Sequence, residues 1–392
     1  MRNFRFYAPT KVVFGKDTES KVGGLVKEQN CKKVLVHYGG NSAKKSGLLD
    51  RIYDSLKEAG IDYVSLGGVV PNPRLSKVYE GIELCKKEGV DFILAVGGGS
   101  VIDSGKAIGY GMVNDCDVWD LYERKAQPKG CLPIGAVLTI AAAGSEMSNS
   151  SVITKEEGEL KRSCNNDFAR CKFAIMNPEL TYTLPQYQTQ SGCTDILMHT
   201  MERYFTTVKN TELTDSIGEA LMKTVIHNAK ILMKEPENYD ARAEVMWASS
   251  ISHNDLTGCG TIGDWASHQI EHELGGMFDV AHGAGLAAVW GSWARYVYKT
   301  DVNRFAKFAV NVLNVPNNFS NPERVALEGI EAMENFYREI GMPTSIKELG
   351  INITDEQISE MAQKCTHDNT ITIGGFQKLN KEDVEKIFQA AR

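Results

Sequence analysis

Asp91-Phe92-Ile93-Leu94-Ala95-Val96-Gly97-Gly98-Gly99-Ser100 is an apolar run of strand length that stops on three glycines and a hydroxyl residue. An uninterrupted apolar run this short reads as a strand buried on both faces, as in parallel sheets. The same pattern recurs upstream. Lys33-Val34-Leu35-Val36-His37-Tyr38 ends in Gly39-Gly40, and Asp62-Tyr63-Val64-Ser65-Leu66 ends in Gly67-Gly68, with helical patterns up to about Glu58 and across 74–88. Strand, glycine turn, helix, strand is the rhythm of an α/β unit built on a parallel, Rossmann-like sheet. The segment 3–13 comes too early for these crossover units and reads as one or two edge strands, a ribbon suited to pairing with a second copy in a homodimer.

From about Tyr187 the character changes. The stretches 211–234, 239–254 and 322–340 are long and amphipathic, and β-rich runs almost disappear. The expectation is an α/β dinucleotide-binding domain over 1–186, followed by an all-helical metal-binding domain over 187–392 that begins just after Thr183-Leu184-Pro185.

Composition narrows the function classes. The 392 residues are 42% apolar and 24% charged, and no run approaches the ~18 apolar residues that a membrane span needs. The first residues lack the apolar core of a secretory signal, so a cytoplasmic chain is expected. Nine cysteines are scattered without a C-x-x-C pair, which reads as reduced thiols and not as a disulfide framework or zinc knuckle. A net charge of −7 without a basic block argues against nucleic acid, because neutralising phosphates needs a positive face.

Glycine at the carboxyl end of a parallel strand lets backbone approach phosphate, and the following helix offers unpaired N–H groups. Gly97, Gly98, Gly99 and Ser100 occupy such a place. The run is neither a standard G-x-G-x-x-G fingerprint, because Ile102 stands where glycine is required, nor a Walker A loop, because Gly105-Lys106 comes one residue late and Ala107 replaces Ser/Thr. A tight turn without ligand is the plain alternative. Asp103 and Lys106, one helical turn further on, are placed to face a bound molecule. At the first turn, Gly39-Gly40-Asn41-Ser42 is followed by Lys44 and Lys45, a combination able to take an additional phosphate.

Only eight histidines are present. Asp195 and His199 are four residues apart and share a helical face, and His268 and His272 do the same. His282 follows a glycine-marked helix stop at Gly275-Gly276. One carboxylate with two or three imidazoles suits zinc or iron(II), and an open coordination position makes such a site catalytic. Separate core histidines are the alternative. His268-Gln269-Ile270-Glu271-His272 also matches the H-x-x-E-H pattern of inverted zinc peptidases, a reading that leaves Asp195, His199 and the glycine turns without a role.

Taken together, Gly97–Lys106, Leu138–Glu146 and Trp265–Leu286 make the sequence resemble the iron-containing (group III) alcohol dehydrogenases, in their NADP-linked butanol dehydrogenase and aldehyde reductase branch. The resemblance covers essentially the whole chain. It implies hydride transfer between NAD(P)H and a small primary alcohol or aldehyde of the butanol type, at a divalent metal, iron(II) before zinc. Matched residue by residue, the implied ligands are Asp195, His199, His268 and His282, while His272 is a non-ligand histidine available as a proton relay. Gly97, Gly98, Gly99, Ser100 and Asp103 match the pyrophosphate and ribose contacts, and Asp103 joins His272 in the implied catalytic set. Asn72, Thr139, Lys161 and Ala142, the last in place of a common threonine, match further cofactor positions. Gly39 stands where NAD-using relatives carry an aspartate, so the first turn, through Gly40, Asn41, Ser42 and Lys45, is expected to accept NADP, with NAD as second choice. Glycerol dehydrogenases share the two-domain plan and form the runner-up reading. A nucleotide sensor without turnover is a third.

Overall fold

The computed structural model describes residues 1–392. Contacts group them into two units, one of 7–184 and one of 1–6 together with 185–392.

The first unit runs β1 (Lys11–Phe14), α1 (Val22–Lys27), β2 (Lys33–Tyr38), α2 (Ser42–Lys45), α3 (Leu48–Glu58), β3 (Asp62–Leu66), α4 (Leu75–Glu88), β4 (Phe92–Gly97), α5 (Gly99–Val113), α6 (Val118–Tyr122), β5 (Ile134–Leu138), β6 (Ser150–Lys155), β7 (Leu160–Asn165) and β8 (Phe173–Met176). Six strands form one sheet in the order β1-β8-β5-β4-β2-β3, every pair parallel. All six residues of β4 are buried, which explains its unbroken apolar run. The chain leaves β2 towards the β3 edge and leaves β4 in the opposite direction, towards β5. The two adjacent strands therefore bracket the topological switch point, where ligands bind in open α/β sheets. Gly39-Gly40 and Gly97-Gly98-Gly99 stand at their carboxyl ends.

Three features depart from the sequence reading. Within 3–13, only Lys11–Phe14 forms a strand, parallel to β8 at the sheet edge. The ladder runs over four pairs, from Lys11–Phe173 to Phe14–Met176. Residues 1–6 group with the helical unit instead, where the Met1 ammonium donates to the Lys209 carbonyl (2.7 Å) and the Arg2 N–H to the Gly260 carbonyl (3.0 Å). The antiparallel hairpin β6-β7 was not anticipated. Lys106 does not face a ligand. It is fully buried, and its Nζ donates to the carbonyls of Ser145, Ser148 and Ser150 at 2.7–2.9 Å and to Ser145 Oγ at 3.0 Å. Burial lowers its pKa, with opposing help from Cys171 and Asp103, and the four oxygens hold the 145–150 loop on α5.

The second unit holds α7 (Gln186–Tyr204), α8 (Glu212–Lys234), α9 (Tyr239–His253), α10 (Ala266–Phe278), α11 (His282–Val297), α12 (Val302–Leu313), α13 (Pro322–Glu339), α14 (Asp355–Cys365) and α15 (Lys381–Ala391). Every residue of α7 from Thr189 to Tyr204 is buried, so this helix is the axis of the unit, and α8, α9 and α11 pack around it. A helix buried on all sides is ordinarily apolar all round, yet this one carries Gln190, Asp195, His199, Glu202 and Arg203.

In the sheet unit, His37 is an interior residue. Its Nε2 meets Ser104 Oγ at 2.8 Å and its Nδ1 meets the Leu66 carbonyl at 3.0 Å. Burial drives its pKa down from 6.5 to about 4, against the raising effect of the Leu66 carbonyl. The unfolded chain therefore takes up a proton between those two values that the folded chain refuses, and stability present above pH 6.5 is lost as pH falls towards 4. A shift of this size corresponds to roughly 3 kcal/mol. Urea unfolding at pH 7.5 and 4.5 is expected to show an acid loss of that order in the native protein and a smaller one in His37→Gln. An identical pH dependence in both proteins would refute the assignment.

Candidate functional site

Asp195 and His199 project from the middle of α7, where they are 3% exposed each. His268 sits in the first turn of α10, and His282 opens α11. Donor atoms of Asp195, His268 and His282 lie within 4.8 Å of one another. The Nε2 atoms of His268 and His282 are each 3.7 Å from Asp195 Oδ1. His199 stands beside this triad and is not part of it: its ring centroid is 4.6 Å from that of His268, and its Nδ1 is 3.2 Å from Asp195 Oδ1. Of the residues expected from the sequence, His272 is near, with its ring 5.9 Å from that of His282.

Asp195 Oδ1, His199 Nδ1 and His268 Nε2 are buried without a hydrogen-bond partner. Leaving a buried polar atom unpaired costs on the order of 1–3 kcal/mol, and more where charge is involved. Three such atoms beside one another, all Lewis bases, fit a divalent cation better than they fit a closed core. Charge agrees with this. Burial, then His253, His268 and Arg203, hold the His199 pKa well below 6.5, leaving a neutral donor. Burial also pulls His268 down, but Asp195 and Glu202 outweigh it and push the pKa up to about 9, so these carboxylates favour a positive charge at this ring, which a divalent ion would supply by displacing the Nε2 proton.

Two glycines allow the helices to meet. A Cβ on Gly283 would lie 1.9 Å from the Ser191 carbonyl oxygen, so only glycine lets α11 reach α7 one turn before Asp195. A Cβ on Gly263 would lie 2.4 Å from Trp265 Nε1. Trp265 itself holds a left-handed backbone (φ 64°), a conformation that a bulky residue adopts only under constraint. Its ring lies 5.4 Å from that of His268, with the Arg203 guanidinium 4.6 Å from its centroid.

Neither Trp265 nor His253 was singled out from the sequence, although the His253 ring packs 3.9 Å from that of His199. Glu202 was also missed. Its Oε1 accepts from both the backbone N–H and the Nδ1 of His268, each at 2.9 Å. Glu271, the glutamate of the H-x-x-E-H pattern, is fully buried and accepts from His282 Nδ1. A peptidase would need that carboxylate turned to a water; here it faces an imidazole.

In the sheet unit, Gly98 caps α5 without any side-chain partner, leaving the helix N-terminus open to an anion. Cβ atoms on Gly97, Gly98 and Gly99 would come within 2.5, 2.0 and 2.9 Å of Val101, Ile140 and Ala143, so no side chain fits along this turn. Asp103 accepts from Ser145 Oγ (2.5 Å) and from the Val152 N–H (2.9 Å), which ties α5 to β6. Thr139 follows β5, and its N–H reaches the Gly97 carbonyl at 3.1 Å. Asn72 is buried at φ 51°, Lys161 is buried on β7, and Ala142 and Ser100 are partly exposed. Gly40, Asn41, Ser42 and Lys45 are exposed at the end of β2.

A switch-point sheet with an open helix N-terminus, and a helical unit holding a buried carboxylate–imidazole set, define a two-unit, metal-dependent oxidoreductase. The comparisons with known proteins specify the kind. Residues 9–178 match the family model of iron-containing alcohol dehydrogenase, and residues 189–392 match the C-terminal model of the Fe-containing alcohol dehydrogenase family. This chain belongs to the iron-containing alcohol dehydrogenase family. It is 40% identical over 391 residues to the probable NADH-dependent butanol dehydrogenase 1 of Bacillus subtilis (strain 168), covering all of both chains. It is 34% identical over 397 residues to the NADPH-dependent aldehyde reductase YqhD of Escherichia coli, again covering all of both. The crystal structure of NADH-dependent butanol dehydrogenase A from Thermotoga maritima superposes with a TM-score of 0.96 at 38% identity, covering 100% of this chain and 99% of that one.

Gly283→Ala is expected to destabilise the helical unit by about 1–3 kcal/mol, because backbone and not a flexible side chain blocks the new methyl. It should also lower bound metal, since His282 is the preceding residue. Thermal unfolding and metal analysis together check this, and an unchanged melting temperature with full metal content would contradict the packing argument.

Proposed function

We propose that this enzyme interconverts small primary alcohols and aldehydes of the butanol/butyraldehyde type, with NADPH preferred over NADH and iron(II) as the ion. The observation that carries the reading is the group of unpartnered buried donors at Asp195, His199 and His268, with His282 converging on the same carboxylate, in a chain of this family. Those four residues would hold the ion. When bound, a divalent cation supplies a Lewis acid that stabilises negative charge on the substrate oxygen. A nicotinamide dinucleotide, when bound, would supply the hydride chemistry. The N-terminus of α5 and Gly97–Ser100 would hold the pyrophosphate through backbone N–H groups. Asp103 holds that turn to β6 and supports the ribose. His272 passes the hydroxyl proton on through its imidazole.

Aerobic and anaerobic preparations assayed with butanol and butyraldehyde test the activity. Asp195→Asn and His268→Ala are expected to lose bound metal and turnover together. His272→Ala should keep metal and nucleotide while turnover falls by about 10²–10⁴-fold, the usual worth of general acid–base help. Normal turnover in metal-free Asp195→Asn would remove the metal from the reaction.

The nucleotide preference rests on the end of β2. No carboxylate stands at Gly39, and Ser42, Lys44 and Lys45 are exposed just beyond it. The relatives divide on this point: the B. subtilis protein is named NADH-dependent and YqhD NADPH-dependent. A Cβ at position 39 would meet only the Val69 carbonyl at 3.4 Å and Val101 Cγ2 at 3.6 Å, so a side chain is tolerated there. Gly39→Asp should put a negative charge against a 2′-phosphate and turn the ratio of kcat/KM towards NADH. A native protein with the higher kcat/KM for NADH would overturn the preference.

A further inference from the structure

The two converging histidines are held from behind in the same way. His268 on α10 presents Nε2 to Asp195 Oδ1 and gives Nδ1 to Glu202 of α7, at 2.9 Å. His282 on α11 presents Nε2 to the same oxygen, at the same 3.7 Å, and gives Nδ1 to Glu271 of α10. An ionised carboxylate can only accept, so in each ring Nδ1 carries the hydrogen that Glu202 or Glu271 takes, which leaves Nε2 as the nitrogen an ion would occupy. Glu202 lies seven residues, two helical turns, after Asp195, and Glu271 lies three after His268. Helix α7 therefore supports the histidine of α10, and α10 supports the histidine of α11. Both carboxylates are built in: Glu202 is 2% exposed and Glu271 is 0% exposed. Gly285 leaves the space for Glu271, because a Cβ there would lie 2.9 Å from Glu271 Cγ and 3.1 Å from its Oε1. His199 has no such carboxylate behind it; its Nδ1 is the atom nearest Asp195.

We propose that Glu202 and Glu271 are positioning residues for the ion: they set the tautomer and orientation of His268 and His282 and raise the donor strength of both rings. The proposal rests on the metal-site reading above. Partners behind a ligating histidine fix its ring and increase its basicity, and losing one typically costs 10–100-fold in metal affinity. With Asp195, the two glutamates bring three buried negative charges to one pocket, a balance that favours a doubly charged ion over a monovalent one or a water.

The test uses the full-length protein loaded with Co(II), whose visible d–d bands report ligand strength and geometry. Dissociation constants come from competition with a chelator. Glu202→Gln and Glu271→Gln should each weaken Co(II) binding by about 10–100-fold and shift the d–d bands. Glu202→Asp and Glu271→Asp, which keep the charge, should recover part of the loss. Gly285→Ala, whose new methyl would meet Glu271 first, should weaken binding by displacing Glu271. A purely structural role predicts lower melting temperatures with unmoved bands and an unchanged dissociation constant. Gln variants that bind Co(II) within threefold of the native protein, with unchanged spectra, overturn the proposal. A native protein that fails to bind Co(II) defeats the metal-site reading itself, and the two failures are thereby separated.

Discussion

The carboxylate of Asp195 is placed in the middle of the most buried helix of its unit, with Oδ1 facing imidazole nitrogens and no hydrogen bond to satisfy it. A buried anion of this kind is tolerated only where positive charge is supplied. Much of the helical unit follows from that demand. Gly283 is needed so that α11 can bring His282 to it, and Gly263 so that the Trp265 indole can pack beside His268. Arg203 packs over the indole and donates to the carbonyls of His199 (2.9 Å) and Ser252 (3.1 Å), which holds the end of α7 in register. Local rules are broken here in concentrated form: a left-handed tryptophan, buried polar atoms without hydrogen bonds, and three buried carboxylates facing imidazoles. Such conflicts mark functional sites in otherwise consistent sequences.

The sheet unit solves the opposite problem. At the switch point it offers backbone and space in place of side chains. Gly97, Gly98 and Gly99 are packed so closely against Val101, Ile140 and Ala143 that any substituent would close the turn. The loop facing that turn is held by an interior lysine instead of by apolar packing. Lys106 gathers three carbonyls and a hydroxyl from 145–150, and Asp103 takes the neighbouring Ser145 hydroxyl and Val152 amide. Charged groups thus shape this turn through hydrogen bonds within the fold.

Strand runs and glycine stops were legible because they are local: β2, β3 and β4 begin and end within a residue of where the apolar runs do. The helices after Pro185 were legible for the same reason, since amphipathic spacing survives wherever one face meets solvent. The hairpin β6-β7 was hidden because its strands, SSVITK and LKRSCN, mix polar and apolar residues without the long apolar run of a doubly covered strand. Of the edge ribbon expected over 3–13, only the end from Lys11 onward forms a strand within the chain, beside β8. A strand pattern shows that a segment can pair, not that anything lies beside it.

Spacing along the chain by itself determined that Asp195 and His199 share a face, that His268 and His272 share another, and that glycines end the strands of a parallel sheet. These are consequences of 3.6 residues per turn and of backbone sterics. Tertiary structure alone decided which of the four-apart histidines turns its nitrogen to Asp195, and that Glu202, 66 residues before His268, stands behind it. It also decided that Glu271 supports an imidazole and that Lys106 is interior. Each of these depends on the approach of helices remote in sequence, set by close contacts such as Gly283 against Ser191. Local periodicity gives a side chain its direction; only packing gives it a neighbour.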